Sequence, residues 1–283
     1  MKAYIFPGQG SQFIGMGKDL YNTSNLAKKL FLLSDEILGF QITCIMFNGT
    51  MEILKNTKYT QLAIYIYSVI KTKILNNFNP DMVAGHSLGE LSALASIDVF
   101  SFEEGLKLVA QRALAMQEIC ESVHGRMAAV FGLEDEVIEK VCEKDNGIIV
   151  PANYNCPGQL VISGEYESLK RVCSFFKKMG GKIFMLPVHG AFHSPIMEPA
   201  KKKLAKFIKT ISFRDSKCPI YQNVNAKPVR KSSNIKKNLI EQLTSPVKWK
   251  QSIENMIKNG AISFIDVGPG CILQKITKKI YQK

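Results

Sequence analysis

The run Pro80-Asp81-Met82-Val83-Ala84-Gly85-His86-Ser87-Leu88-Gly89-Glu90 decides how this chain is read. Its apolar first half reads as a short buried strand, and residues 88–97, rich in Leu and Ala, read as a helix. Between them, Gly85-His86-Ser87-Leu88-Gly89 makes a turn tight enough to use glycine on both sides. Strand, sharp turn and helix in that order form a nucleophile elbow, which holds a serine exposed at the top of a sheet. A serine hydroxyl is a weak nucleophile until a base takes its proton. The helix that follows directs backbone N–H groups and its positive dipole end at developing negative charge, so the N–H of Leu88 is placed as an oxyanion donor. Ser87 is the candidate nucleophile.

Working outward, residues 3–6 form the first expected strand, stopped by Pro7-Gly8-Gln9-Gly10. That loop lacks a complete G-x-G-x-x-G, which argues against a dinucleotide site. Apolar residues at helical spacing predict helices over 26–38, 60–75 and 102–121. Beyond residue 125 the texture changes to strand (127–131), helix (134–143), strand (148–151), strand (159–163), helix (166–179) and strand (182–186). This is the order of a ferredoxin-like split βαβ module. The expected fold class is therefore α/β: an α/β-hydrolase-like large domain built from residues 1–124 and 189–283, with a small ferredoxin-like domain, residues 125–188, inserted. Residues 227–237 are polar enough to be expected as an exposed loop.

The 283 residues are 46% hydrophobic and 22% charged, which excludes a disordered or fibrous chain and suits one large domain with an insert. No apolar run approaches the ~18 residues of a membrane span, and the first residues have no signal-peptide layout, so a cytoplasmic protein is expected. The seven cysteines are scattered without C-x-x-C spacing and read as ordinary thiols in a reducing compartment, neither a disulfide framework nor a metal site. Charge is uneven. Residues 201–283 hold 19 Lys plus Arg against 4 Asp plus Glu, a net of +15, whereas residues 1–200 net −2. Such a field suits an acidic partner: nucleic acid, a membrane surface or an acidic protein.

A base for Ser87 should be a histidine, whose pKa allows a proton to be taken and returned near neutrality. There are four candidates: His86, His124, His189 and His193. His86 adjoins the nucleophile on a turn whose neighbours point apart, and reads as a brace for the elbow. His124 has no supporting context. His189 and His193 share the segment Pro187-Val188-His189-Gly190-Ala191-Phe192-His193-Ser194-Pro195, and spacing does not choose between them.

Five segments in order carry a family likeness: Phe6-Pro7-Gly8-Gln9-Gly10-Ser11-Gln12, Gly85-His86-Ser87-Leu88-Gly89-Glu90, Gln111-Arg112-Ala113-Leu114-Ala115-Met116-Gln117, Gly190-Ala191-Phe192-His193-Ser194 and Val267-Gly268-Pro269-Gly270. Together they resemble the signatures of the malonyl-CoA:acyl carrier protein transacylases, which include the fatty-acid synthesis enzyme and the free-standing, trans-acting acyltransferases of polyketide synthases. The resemblance covers almost the whole chain. It implies His193 as the base, with His189 a bystander. It also implies a Ser-His dyad, in which the backbone carbonyl of Gln242 orients the imidazole and the Gln242 side chain matters little. Gln9 is implied in the oxyanion hole beside Leu88. Arg112 is implied as the clamp on a malonyl carboxylate, since a planar guanidinium can grip it with two parallel hydrogen bonds. Phe192 belongs to the small-pocket form that goes with malonyl. Gln61, Asn155 and Gln159 match positions near the pocket or the domain junction.

What the resemblance implies as function is ping-pong transfer of malonyl from malonyl-CoA to the phosphopantetheine thiol of an acidic acyl carrier protein, in fatty-acid or polyketide biosynthesis. Coenzyme A thioester is then the substrate, with no permanently bound cofactor and no metal. Nucleic acid and membrane lose their place as partners, and the basic last third becomes a carrier-docking surface with Lys201-Lys202-Lys203 as its test cluster. A monomer is expected, and the compactness of the chain inclines the reading slightly towards the assembly-line enzyme. Two rivals stand beside it. One is a proofreading acyl hydrolase of the same fold, against which Arg112 counts. The other is a non-catalytic basic docking protein, against which the intact Ser87 and His193 count.

Overall fold

The computed structural model describes residues 1–281. Among them run nine strands: β1 (Lys2–Phe6), β2 (Met82–Gly85), β3 (Gly125–Phe131), β4 (Ile149–Cys156), β5 (Gln159–Glu165), β6 (Lys182–Met185), β7 (Ile220–Tyr221), β8 (Pro228–Val229) and β9 (Ser263–Asp266). Five of them form one sheet in the order β8-β7-β2-β1-β9, parallel except for the edge strand β8. The other four form an antiparallel sheet in the order β4-β5-β3-β6. With helices Asp135–Glu143 and Tyr166–Lys178 as its crossovers, that second sheet has the ferredoxin-like split βαβ topology.

The parallel sheet is buried on both faces, which is why its central strands read as unbroken apolar runs. Tyr4, Phe6 and Val83 enter the larger core with residues of helices Thr57–Ile74, Gly89–Ser96 and Phe102–Ser122. Ala3, Ile5, Met82 and Ala84 point the other way, onto Trp249, Ile253, Met256 and Leu273. This is the two-residue period of a strand, filled with hydrophobic side chains on both sides. The antiparallel sheet divides similarly. Ala128 and Val130 pack on Ile138, Leu169 and Phe176 of its own helices, while Met127, Ala129 and Val161 join the larger core.

Helix Phe102–Ser122 starts at a capping box, in which Ser101 Oγ accepts from the N–H of Glu104 and the Glu104 carboxylate accepts from the N–H of Ser101. That fixed start sets the rotation of the helix and so turns Arg112, about three turns on, towards the interior. Strand β4 runs past the expected end at residue 151 because it is held on two sides. It pairs with β5, and the N–H of Tyr154 donates to Val247 O at 2.9 Å.

One expectation fails outright. Residues 227–237 are not an exposed loop: they contain β8 and most of helix Ser232–Glu241, whose Ile235 and Leu239 are buried four residues apart on one face. Lysines around those two apolar positions hide the amphipathic pattern in a short window. Among the described residues no helix is long and apolar enough to cross a membrane.

The elbow depends on close backbone approach. A Cβ on Gly89 would lie 2.0 Å from the carbonyl oxygen of Phe6, and one on Gly85 would lie 2.0 Å from the carbonyl carbon of Gly89. The helix can therefore start directly against β1 only if both residues lack side chains. Gly89→Ala should lose about 3 kcal/mol or more of stability, since neither contact is with a movable side chain. Urea unfolding monitored by circular dichroism measures this, and a midpoint equal to that of the wild type contradicts it.

Candidate active site

Among the described residues Ser87 is one of four non-glycine residues with positive φ, at 52°, and His193 is another, at 59°. A left-handed conformation costs such residues about 1–3 kcal/mol and persists only where the surroundings impose it. At Ser87 the surroundings are the glycine contacts and Asn223, whose Oδ1 accepts from the N–H of Ser87 at 2.8 Å and whose Nδ2 donates to Gly85 O at 2.6 Å.

The two strained residues meet. Ser87 Oγ lies 2.8 Å from His193 Nε2. His193 Nδ1 faces two backbone carbonyls, Gln242 O at 2.9 Å and Ser245 O at 3.2 Å. Carbonyls only accept, so Nδ1 carries the proton, Nε2 is the acceptor, and the serine O–H donates to it. Burial, then the nearby Arg112 charge, push the His193 imidazole down to about 3, against the two carbonyls that favour the protonated form. The ring is thus neutral and able to accept a proton at ordinary pH.

Arg112 is almost completely buried. Its Nη1 donates to Gln61 Oε1 at 2.5 Å, and its Nη2 donates to Ser87 Oγ at 3.1 Å and to Gln242 Oε1 at 3.2 Å. Among the described residues its Nε has no partner. Nε and Nη2 share the side-on edge of the guanidinium, so a carboxylate gripped there would take the free Nε–H together with one Nη2–H now given to Ser87 Oγ or Gln242 Oε1. Burial lowers Arg112 to about 10, with Glu90 raising it, so it remains a cation at neutral pH. Glu90 is itself fully buried. Desolvation pushes its carboxyl up to about 7, opposed by hydrogen bonds from Asn223 and Gln222 and by the Arg112 charge.

Ser87, His193 and Arg112 border a cavity of ≈ 80 Å³, also lined by Gln9, Leu88 and Phe192. At ~30 Å³ per liquid water it holds about three waters, which suits a short acyl unit and not a long chain. The N–H groups of Gln9 and Leu88 have no intramolecular acceptor among the described residues, so both can serve an oxyanion. The cavity shares Gln9, His86, Asn153 and Leu186 with an adjoining groove of ≈ 230 Å³ that Gln159 also lines.

One expectation is corrected here. The Gln242 side chain does not stand idle. It is buried, its Oε1 accepts from Arg112, and its Nε2 donates to Ser87 O at 3.1 Å and to Asn223 Oδ1 at 3.2 Å. Asn155, expected near the pocket or the domain junction, lines the adjoining groove and not the cavity around Ser87. Its Oδ1 accepts from His86 Nε2 at 2.9 Å and so fixes that ring, whereas Asn153, two residues earlier on β4, faces the cavity with a buried Oδ1 that lacks a partner. Gln61 lines the cavity but spends its Oε1 on Arg112, and His189 lies in a different groove. Sequence reasoning missed Asn153, Asn223 and the structural part of Glu90. Only Glu90 left a signal, as an acidic residue in the first turn of an otherwise apolar helix.

Residues 3–283 match the family described as acyl transferase domain. A malonyl CoA-acyl carrier protein transacylase of Staphylococcus aureus (strain MRSA252) is 40% identical over 282 residues, covering 98% of this chain and 92% of the relative. The solved malonyl CoA-acyl carrier protein transacylase of Coxiella burnetii superposes with a TM-score of 0.96 at 34% identity, covering 100% of this chain and 91% of that one. A malonyl-transacylase solved in complex with a type II PKS acyl-carrier protein also gives a TM-score of 0.96 at 34% identity, over 99% of this chain and 93% of that one.

Gln242→Leu keeps the backbone carbonyl that faces His193 and removes only the amide. Leaving Arg112 and Asn223 short of partners should cost about 1–3 kcal/mol of stability and slow the reaction of Ser87. Denaturant midpoint and the rate of Ser87 acylation read the two effects; wild-type values for both mean that the amide is idle after all.

Proposed function

The chain belongs to the acyl transferase domain family, among the malonyl CoA-acyl carrier protein transacylases, and we propose that it carries a malonyl group from coenzyme A to the phosphopantetheine thiol of an acyl carrier protein through an ester on Ser87. His193 Nε2 takes the proton of Ser87 as its Oγ attacks the thioester carbonyl. The oxyanion of the tetrahedral intermediate accepts hydrogen bonds from the N–H groups of Leu88 and Gln9. His193 returns the proton to the departing thiol. The carrier's thiol then loses its proton to His193, attacks the malonyl ester, and Ser87 leaves with that proton.

Among the described residues no carboxylate stands behind the imidazole. The carbonyls of Gln242 and Ser245 hold the ring in the right tautomer but add no full charge to stabilise imidazolium. A malonyl carboxylate seated on Arg112 offsets the positive charge that, after burial, lowers His193, so the base strengthens once this substrate is bound. The observation that carries the reading is the buried Arg112, in contact with Ser87 Oγ and with its Nε unpartnered. A hydrolase of monocarboxylic acyl groups has no use for a buried carboxylate clamp.

The partner's acidity follows from charge complementarity with the basic last third of the chain, in fatty-acid or polyketide synthesis alike. Lys201 and Lys203 are weaker docking candidates than the sequence suggests, because Lys201 pairs with Glu198 and Glu241 and Lys203 with Glu118. We read the chain as a monomer, in the cytoplasm, where seven free thiols are stable. Residues 1–124 with 189–283 form the catalytic unit, and 125–188 the smaller one that covers its cavity; the separate apolar cluster within the insert supports this division.

Incubation with malonyl-CoA should add one malonyl mass to the protein, and none to Ser87→Ala. An undiminished adduct in that variant rejects Ser87 as nucleophile. Adding carrier protein should speed turnover and leave malonyl on the carrier, while fast release of free malonate would identify a hydrolase. Arg112→Ala should lose malonyl transfer by about 10²-fold, the scale of a lost charge-assisted pair at about 1.5–3 kcal/mol, with acetyl transfer much less affected. Equal losses for both acyl groups remove the clamp from the mechanism.

A further inference from the structure

Glu90 lies three residues after Ser87 and does not line the substrate cavity. Its fully buried carboxylate accepts two converging donors: the backbone N–H of Asn223 reaches Oε2 at 2.8 Å, and Gln222 Nε2 reaches Oε1 at 2.8 Å. Asn223, also fully buried, passes the hold back to the elbow, with one side-chain atom on the N–H of Ser87 and the other on the carbonyl of Gly85. The Gln242 amide reinforces the same point by donating to Asn223 Oδ1 and to the carbonyl of Ser87.

We propose that Glu90 is a positioning residue for the nucleophile: by accepting from Asn223 and Gln222 it locks Asn223, and through Asn223 it keeps Ser87 in its left-handed conformation on line with His193. The inference rests on Ser87 being the nucleophile. Two features support it. A buried carboxylate is a poor device for stability alone, because well-packed apolar replacements of buried charged groups are often no less stable. And an ionised carboxylate is acceptor-only, so it satisfies two facing N–H donors, whereas an amide in its place sets its own NH₂ against one of them. The strain at Ser87 needs such a fixed acceptor, since a turn left to itself relaxes away from positive φ.

The test is steady-state malonyl transfer by Glu90→Gln. A small displacement of the reacting atom should lower kcat by about 10²-fold, with KM for malonyl-CoA nearly unchanged, because Glu90 lines no part of the cavity and makes none of the hydrogen bonds of Arg112. A folded variant with wild-type kcat, or one whose loss lies in KM, overturns the proposal. Should Glu90→Gln not fold, Asn223→Ala carries the same test: a fall in kcat at constant KM supports the proposal and full kcat overturns it. Wild-type protein that takes no malonyl mass onto Ser87 instead sinks the transferase reading itself, a result that no variant of Glu90 can imitate.

Discussion

The backbone of Ser87 is held where a serine does not rest by choice, and most of the surrounding structure is arranged around that constraint. Gly89 sits so close to the Phe6 carbonyl that helix Gly89–Ser96 begins directly against β1. Asn223 ties both sides of the turn. Parallel pairing of β2 with β1 and β7 brings the Asn223 segment beside the elbow, because that segment follows directly from β7. A sheet buried on both faces supplies the rigidity that such strain requires.

Around the elbow, charge is arranged as a compromise. Arg112 is buried, which is costly for a cation, and is balanced by buried Glu90 and by three polar neighbours. Burial first, and then the same positive charge, work against protonation of His193, so the imidazole is kept neutral. A dyad oriented by carbonyls fits this setting. As the proposed base, His193 is ready at rest, and a substrate that brought its own negative charge to Arg112 would make it stronger. In the proposed reaction, then, specificity for a dicarboxylic acyl group and activation of the base share one electrostatic cause.

Much of this was legible in the chain itself. The elbow follows from glycines around a serine between a strand pattern and a helix pattern, and the split βαβ order follows from alternating periodicities over residues 125–188. Arg112 and His193 stood out through ordered motifs, and the structure brings both within hydrogen-bond distance of Ser87. Other features were illegible for identifiable reasons. Helix Ser232–Glu241 was hidden because its two buried positions are surrounded by lysine and asparagine. Asn153 and Asn155 lie two apart on one strand, so only the local register shifts of β4 and the place of His86 decide which of them reaches the cavity. The importance of the Gln242 amide could not be read at all, since its partners are 19, 130 and 155 residues away in sequence.

Sequence alone determined the chemistry available: a serine on an elbow, a histidine that can serve it, an arginine that can bind a carboxylate, and glycines where backbones must touch. These depend on residue type and short spacing, which are local properties. Tertiary structure decided how those groups are wired. It set the tautomer of His193, the unpartnered Nε of Arg112, the placing of Asn153 in the cavity and Asn155 in the adjoining groove, and the chain from Glu90 through Asn223 to Ser87. Each of these depends on which distant hydrogen-bonding groups share a dry interior, where an unmatched donor or acceptor is costly and so must find its partner wherever the fold brings one.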